Sequence, residues 1–263
     1  MKYCVPYYQD FRYFSEIDEI ILYYSENDNL VEFVKQNYKD NQRVIIDIVL
    51  NKTEDTIPIL KKLQQEHEDM AVRLQSDNNY ELLREAGIPY FFDNFCNTDE
   101  EVYVYVKSGA SDVYVAETLG FSLEKISAYC HNKGVKVRVI PNIAQHKATL
   151  GKYIPDYYKF FIRPEDTEIY EKYVDVFEFV APGDRLSVFY SVYKGRVWFG
   201  DLKNLIIGIQ DNIYNPGIAP FFGPQRLNCE HKCMQEKCNV CGEICKVAEK
   251  FKNLELEIRR TVE

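Results

Sequence analysis

Five of the eight cysteines in this 263-residue chain fall between Cys229 and Cys245. The segment runs Cys229-Glu230-His231-Lys232-Cys233, then Cys238-Asn239-Val240-Cys241-Gly242, then Cys245, a spacing of C-x3-C-x4-C-x2-C-x3-C with His231 inside the first gap. Thiolates at that density repel one another unless a cation or cluster neutralises them, and each is a strong, soft ligand. The segment therefore predicts a metal centre, the alternative being a run of free thiols. The Cys-x-x-Cys-Gly turn resembles a zinc knuckle, and thiolates in a tight segment suit tetrahedral Zn2+. The same run also suits an iron–sulfur cluster of the 4Fe–4S type. Zinc and iron–sulfur both remain open. Cys233, Cys238 and Cys241 stand first as ligands, with Cys229 and Cys245 competing for the fourth place. The other three, Cys4, Cys96 and Cys130, are scattered. A secreted disulfide scaffold would spread its bridges through a small domain, so clustered thiols point to metal in a reducing compartment.

A second set of chemistry-bearing residues closes a series of apolar runs: Asp47, Arg73, Asp93 with Asn94, Glu117, Asn142 with Gln145, Arg163 and Glu178. In a parallel barrel the chemistry sits where strands end and the following loops begin. Such a ring offers carboxylates for proton transfer or metal binding and arginines for a carboxylate or phosphate group. The candidate catalytic residues are Glu117, Asn142, Arg163, Asp47 and Asp93. The first three each close or closely follow a clear strand pattern. His146 is the histidine nearest this rim and the candidate general base, whereas His67 and His131 fall in predicted helices as surface residues. The same polar residues have a purely structural alternative, capping helices or pairing inside the barrel mouth, and Asp47 against Arg73 fits such a pair. No Walker A loop, GxGxxG after a strand, HExxH or GxSxG occurs, so nucleotide-loop and familiar hydrolase chemistries find no support.

The elements that must position these residues form a repeating unit. A polar cap opens a helix, a glycine closes it, and a β-branched or aromatic run follows. Thr98-Asp99-Glu100-Glu101 fits a capping box with Thr98 as N-cap and Glu101 three residues on. Gly109 then closes the helix, and Asp112 to Ala116 reads as a strand. The next unit starts at Ser122, with Leu123, Ile126 and Cys130 at helical spacing, Gly134 as the stop and Val135 to Ile140 as a strand. One unit earlier, Tyr80 to Ala86 is helical, Gly87 ends it and Ile88 to Phe92 is extended. Further strands are predicted at Glu19 to Tyr24, Arg43 to Val49, Met70 to Leu74, Tyr158 to Ile162 and Val174 to Val180, with Tyr3 to Tyr7 as an additional extended piece. This rhythm predicts an α/β fold, a (β/α)8 TIM-like barrel in residues 1–182, with an open parallel sheet as the alternative.

Beyond Pro182-Gly183 the pattern changes. Leu186 to Tyr193 is amphipathic or extended, and Asn215-Pro216-Gly217 and Gly223-Pro224 mark loops. Val247, Phe251, Leu254 and Ile258 share one helix face. Residues 183–263 are read as a C-terminal extension, a cysteine-rich metal-binding segment and helix packed on the barrel.

With 46% hydrophobic residues the chain can fill one sizeable core. The formal net charge of -9 argues against a duplex DNA partner, because phosphate contacts need a basic face. No run approaches the length of a membrane span, and Met1 to Pro6 lacks the apolar run of a secretory signal, so no membrane association and a cytoplasmic location are expected. The 21 tyrosines sit largely in apolar runs and read as core filler with a polar tip.

Two segments carry a family resemblance. Gly109-Ala110-Ser111-Asp112-Val113-Tyr114-Val115, and Gly134-Val135-Lys136-Val137-Arg138-Val139-Ile140-Pro141-Asn142, resemble the glycine-led strand and the helix–strand motifs of the peptidase U32 family. That resemblance implies a TIM-like barrel with cysteines after the barrel segment, iron–sulfur binding and, in several members, oxygen-independent or tRNA hydroxylation chemistry. The family's cysteines are spread more widely than the run here, so neither its ligand assignment nor its catalytic residues are carried over. The expectation is an enzyme acting on RNA or a small metabolite at the barrel mouth. The alternative is a non-catalytic binding or assembly protein with a structural zinc.

Overall fold

The computed structural model describes residues 1–7, 12–24, 30–37, 42–48, 53–75, 80–116, 122–141, 162, 164, 167–181 and 183–196. In chain order these form β1 (Lys2–Pro6), a short 3-10 turn (Phe14–Glu16), β2 (Glu19–Tyr24), α1 (Leu30–Asn37), β3 (Arg43–Ile48), α2 (Thr53–Glu66) and β4 (Met70–Leu74). Then follow α3 (Tyr80–Ala86), β5 (Tyr90–Phe92), β6 (Phe95–Cys96), α4 (Asp99–Ser108), β7 (Asp112–Val115), α5 (Leu123–His131), β8 (Lys136–Val139), α6 (Thr167–Tyr170), β9 (Val176–Glu178) and α7 (Gly183–Gly195).

The nine strands make one all-parallel sheet in the order β5-β4-β3-β2-β1-β9-β8-β7-β6. Its two ends are neighbours in sequence, since only Asp93 and Asn94 separate β5 from β6. β5 runs beside β4, with Arg73 opposite Phe91, and β6 runs beside β7, with Phe95 opposite Tyr114. The Ser111 amide also donates to the Tyr90 carbonyl at 2.7 Å. The sheet thus curls round on itself in a barrel-like α/β fold.

Alternation along each strand sorts side chains into two faces. In β3 every residue is buried, yet Val44, Ile46 and Ile48 belong to one apolar cluster and Ile45 to another. The first cluster lies between sheet and helices, where Leu60, Leu63, Leu83, Val102, Leu123, Ile126 and Cys130 meet the outward side chains. The second fills the concave side with Cys4, Ile21, Ile45, Ala71, Phe91, Tyr114, Ile140 and Val176. Burial on both faces explains why the strands are so rich in valine and isoleucine.

The local signals act as expected. Thr98 is the N-cap of α4 in a complete capping box with Glu101, and Gly109 closes that helix at φ 98°. Gly87 and Gly134 also have positive φ, 70° and 71°, a region where a side chain would be strained. Ser122 stands at the N-cap of α5, but its hydroxyl makes no capping bond.

Three details go beyond the sequence reading. The extended piece near Tyr3 is a full member of the sheet, pairing with both β2 and β9. β8 pairs directly with β9, and the strand expected at Tyr158 to Ile162 falls, apart from Ile162, outside the described residues. Leu186 to Tyr193 lies within a helix, α7, whose Tyr193 hydroxyl donates to the Ile162 carbonyl at 2.7 Å and whose Tyr190 ring meets Tyr3 edge-on at 5.4 Å. Burial of Leu186, Phe189, Tyr190 and Tyr193 on the body outweighs the mixed local pattern. Among the described residues no helix is long and apolar enough to cross a membrane.

Candidate functional site

Arg73, the fourth residue of β4, points to the concave side of the sheet near the C-terminal ends of the strands. Its parity is fixed by the alternation that sends Val72 and Leu74 outward into the helix-covered core. The guanidinium gathers side chains from several strands. Nε donates to Asp47 Oδ2 of β3 at 2.9 Å, and Nη2 donates to the same oxygen. Nη1 donates to Glu178 Oε1 at the end of β9, 2.9 Å, and to the Tyr114 hydroxyl oxygen of β7, 3.3 Å. Asp93 Oδ1, immediately after β5, lies 3.5 Å from the same Nη1. The Gln75 amide adds a contact to Asp47 Oδ1 at 3.3 Å, and the Tyr114 hydroxyl donates to Glu178 Oε2 at 2.5 Å.

Asp47 and Glu178 are wholly buried, and Arg73 is 5% exposed, whereas the Asp93 side chain retains 35% exposure. Burial pushes the Asp93 carboxyl up to about 6; Arg73 pulls the other way, and the charges of Glu178 and Asp47 add to the rise. Desolvation alone would push the Arg73 pKa down, but the surrounding acidic groups hold it above its ordinary value. The Tyr23 ring of β2 lies 5.9 Å from the guanidinium carbon and is 56% exposed, so one aromatic face borders the mouth. This mouth therefore contains a fixed cation, two buried carboxylates that neutralise it, and a third carboxylate reachable from solvent. Such a set suits proton transfer at Asp93. A metal ion is poorly matched to the centre of the ring, because the Arg73 guanidinium already occupies it.

A separate charged layer sits at the opposite, N-terminal ends of the strands. Arg43 grips Asp112 with two bonds, 2.8 and 2.9 Å, and Arg138 donates to Glu19 Oε2 at 2.6 Å and to Asp112 Oδ1 at 3.0 Å. Burial opposes the ionised form of Asp112, but Arg43 and Arg138 overcome it and hold the carboxyl well below the usual range. Residues at this end of a parallel barrel serve stability rather than chemistry. Arg138 also connects the layers: its Nη2 donates to Glu178 Oε2 at 3.3 Å, and its guanidinium lies 4.9 Å from the Phe91 ring centre.

Of the residues singled out by sequence, Asp47 and Asp93 meet around Arg73, together with Glu178. Glu117, Asn142, Gln145, His146 and Arg163 lie outside the described residues, as do His231 and the cysteines Cys229, Cys233, Cys238, Cys241 and Cys245. Among the described residues no group of three or more His, Cys, Asp or Glu side chains forms a metal-binding set. Cys4, Cys96 and Cys130 are buried free thiols, with burial pushing Cys96 and Cys130 up to about 12, so they behave as protonated core residues. His131 ends α5 at the surface, 2.9 Å from Asp175, and His67 follows α2 half-buried. Sequence reasoning missed Tyr114, Tyr23 and Arg138. The available signal was parity: Tyr114 shares the inward face with Asp112, as Tyr23 does with Glu19. No protein-family model matches the chain, and no curated protein matches it.

Proposed function

We propose that this chain is a (β/α)8-barrel enzyme of U32-like type. It acts on RNA or a small metabolite at the C-terminal mouth of the barrel and carries a cysteine-bound zinc or 4Fe–4S site on the segment from Cys229 to Cys245. Counting Tyr90 to Cys96 as one strand bent at Asp93 and Asn94 makes the nine-strand order an eight-stranded closed barrel, which supports the TIM-like reading. In such a fold reactions take place at the strand C-termini, where Asp93 lies.

The observation that carries the proposal is the contrast between Asp93 and its neighbours. Asp47 and Glu178 are buried and neutralised by arginine, whereas Asp93 is partly open to solvent with a carboxyl pushed up to about 6. A carboxyl near that value exchanges protons readily close to neutral pH, the requirement for general acid–base work. The remaining candidates, Glu117, Asn142 and Arg163, lie outside the described residues and rest on the sequence pattern alone. The donor set of five cysteines fits a thiophilic ion or cluster, and when bound such a group supplies structural cross-linking or redox chemistry. The resemblance to U32 proteins supports iron–sulfur over zinc, and a reducing, cytoplasmic setting agrees with either.

A second reading has its own support. Asp47 and Glu178 are consumed by Arg73, Tyr114 and Arg138, as in a network that only specifies the barrel, and a non-catalytic binding or assembly protein with structural zinc would need nothing more. Anaerobic purification with iron, sulfide and zinc analysis, followed by mass spectrometry of RNA and metabolite extracts incubated with the protein, separates the two. The enzyme reading expects a product in the extract that falls by about 10²-fold or more with Asp93→Asn. Stoichiometric zinc with extracts unchanged by the wild-type protein supports the assembly reading. Protein free of iron, sulfide and zinc refutes the metal site in both.

A further inference from the structure

Three acceptors compete for one nitrogen at the centre of the mouth. Arg73 Nη1 lies 2.9 Å from Glu178 Oε1, 3.3 Å from the Tyr114 hydroxyl oxygen and 3.5 Å from Asp93 Oδ1. That nitrogen carries two hydrogens, and the two shorter contacts use both. The rest of the guanidinium cannot turn to serve Asp93, since Nε and Nη2 are both engaged by Asp47. Nor can Glu178 turn aside. Its other oxygen accepts from the Tyr114 hydroxyl at 2.5 Å and from Arg138 Nη2 at 3.3 Å, and Arg138 is anchored in turn by Glu19 and Asp112.

We propose that Glu178 and Tyr114 are positioning residues that occupy both Nη1 hydrogens of Arg73 and so withhold them from Asp93, leaving its carboxyl free to take up and release a proton. This rests on Asp93 being the proton-transferring group of the proposed function. The charged groups facing Asp93 are Arg73 of β4, Glu178 of β9 and Asp47 of β3. Arg73 is the single cation among them, and the geometry commits it to two other carboxylates, Asp47 and Glu178, before Asp93 can claim a full charge-assisted bond. Glu178 acts twice, through its own negative charge and through its hold on Nη1. Tyr114 acts by occupying the second hydrogen and by fixing the orientation of Glu178.

The test is a carbon-13 carboxyl NMR titration of Asp93 in the full chain, with the resonance assigned by its loss in Asp93→Asn. The wild-type midpoint is expected at about 6. Glu178→Gln removes a charge and weakens the hold on Nη1, because an amide oxygen accepts less strongly than a carboxylate, so the midpoint drops by about one unit or more toward the ordinary aspartate range. Tyr114→Phe frees a hydrogen but keeps the Glu178 charge, so the drop is smaller and in the same direction. If Glu178→Gln fails to fold, Tyr114→Phe decides alone. Residues with only a structural role would lower the melting temperature and leave the Asp93 midpoint in place. A wild-type midpoint near 6 that neither variant moves overturns the positioning roles and leaves Asp93 standing as the acid. A wild-type midpoint in the ordinary range overturns both.

Discussion

Asp93 is held by one long contact where Asp47 and Glu178 are held by several short ones, and that difference sets its chemistry. Burial raises its proton affinity, and the shared cation does not restore the balance. The consequence for stability has a definite sign. With its folded value near 6 and an ordinary value of 3.8, the protonated form is favoured by folding. The associated stability is complete below the unfolded value and is lost as pH rises through about 6. Above that range the native protein carries a poorly compensated carboxylate. Asp93→Asn should therefore be more stable than wild type near about pH 8, by about 1 kcal/mol once solvent screening at a side chain about a third exposed is allowed for. The difference should vanish below about pH 3, where the aspartate is protonated in the folded and unfolded chains alike. Urea unfolding at the two pH values measures it; a variant destabilised equally at both would mean that Asp93 contributes through packing instead. Arg73, by contrast, is tied on every side and serves to fix the mouth rather than to move.

At the scale of the element, α4 illustrates how local chemistry places a functional residue. Asp93 and Asn94 lie in the turn between β5 and β6, and α4 begins three residues after β6. The Glu101 carboxylate accepts from the backbone amides of Asn97 and Thr98, at 2.6 and 3.3 Å, and the Thr98 hydroxyl accepts from the Glu101 amide at 3.2 Å. These bonds satisfy amide groups that the start of a helix leaves without partners and fix the entry of α4. Thr98→Ala should cost about 1 kcal/mol, read as a lower urea midpoint at unchanged slope. An unchanged midpoint would show that packing of Val102 and Val106 fixes the helix without its cap. The same elements were legible beforehand because capping boxes, helix-stop glycines and β-branched runs act over a few residues. Leu186 to Tyr193 was less legible, since its helix is decided by four side chains buried against the sheet and by the docking of Tyr193 on Ile162.

Across the whole molecule, the inside of the sheet is organised by charge as much as by apolar packing. Glu19, Arg43, Asp112 and Arg138 form one layer, Cys4, Ile21, Ile45, Ala71, Phe91 and Val176 contribute to an apolar one, and Asp47, Arg73 and Glu178 form the layer at the mouth. Arg138 is the strut between the outer two, wholly buried and paired with Glu19, Asp112 and Glu178. Removing one partner of such a network leaves buried charges uncompensated. Arg138→Met should therefore destabilise the protein by about 3–5 kcal/mol in denaturant unfolding. A loss below about 1 kcal/mol would mean that the layers are energetically separate.

The sequence by itself determined the strand–helix rhythm, the helix ends at Thr98, Gly109 and Gly134, the helical spacing of Leu123, Ile126 and Cys130 and the clustering of thiols, because each depends on residue type and short spacing. It also offered Asp47 against Arg73 as a structural alternative to catalysis, the pairing that the structure contains. Only the tertiary structure decided that Asp93 and Glu178 join them, that Tyr114 and Arg138 complete the network, and that the strand at Tyr3 stands between β2 and β9. These contacts join residues as far apart as Arg73 and Glu178, 105 positions along the chain. What brings them together is the curl of the sheet and the inward parity of each strand, and the resulting division of one guanidinium among three carboxylates is a property of the curled sheet, not of any single segment.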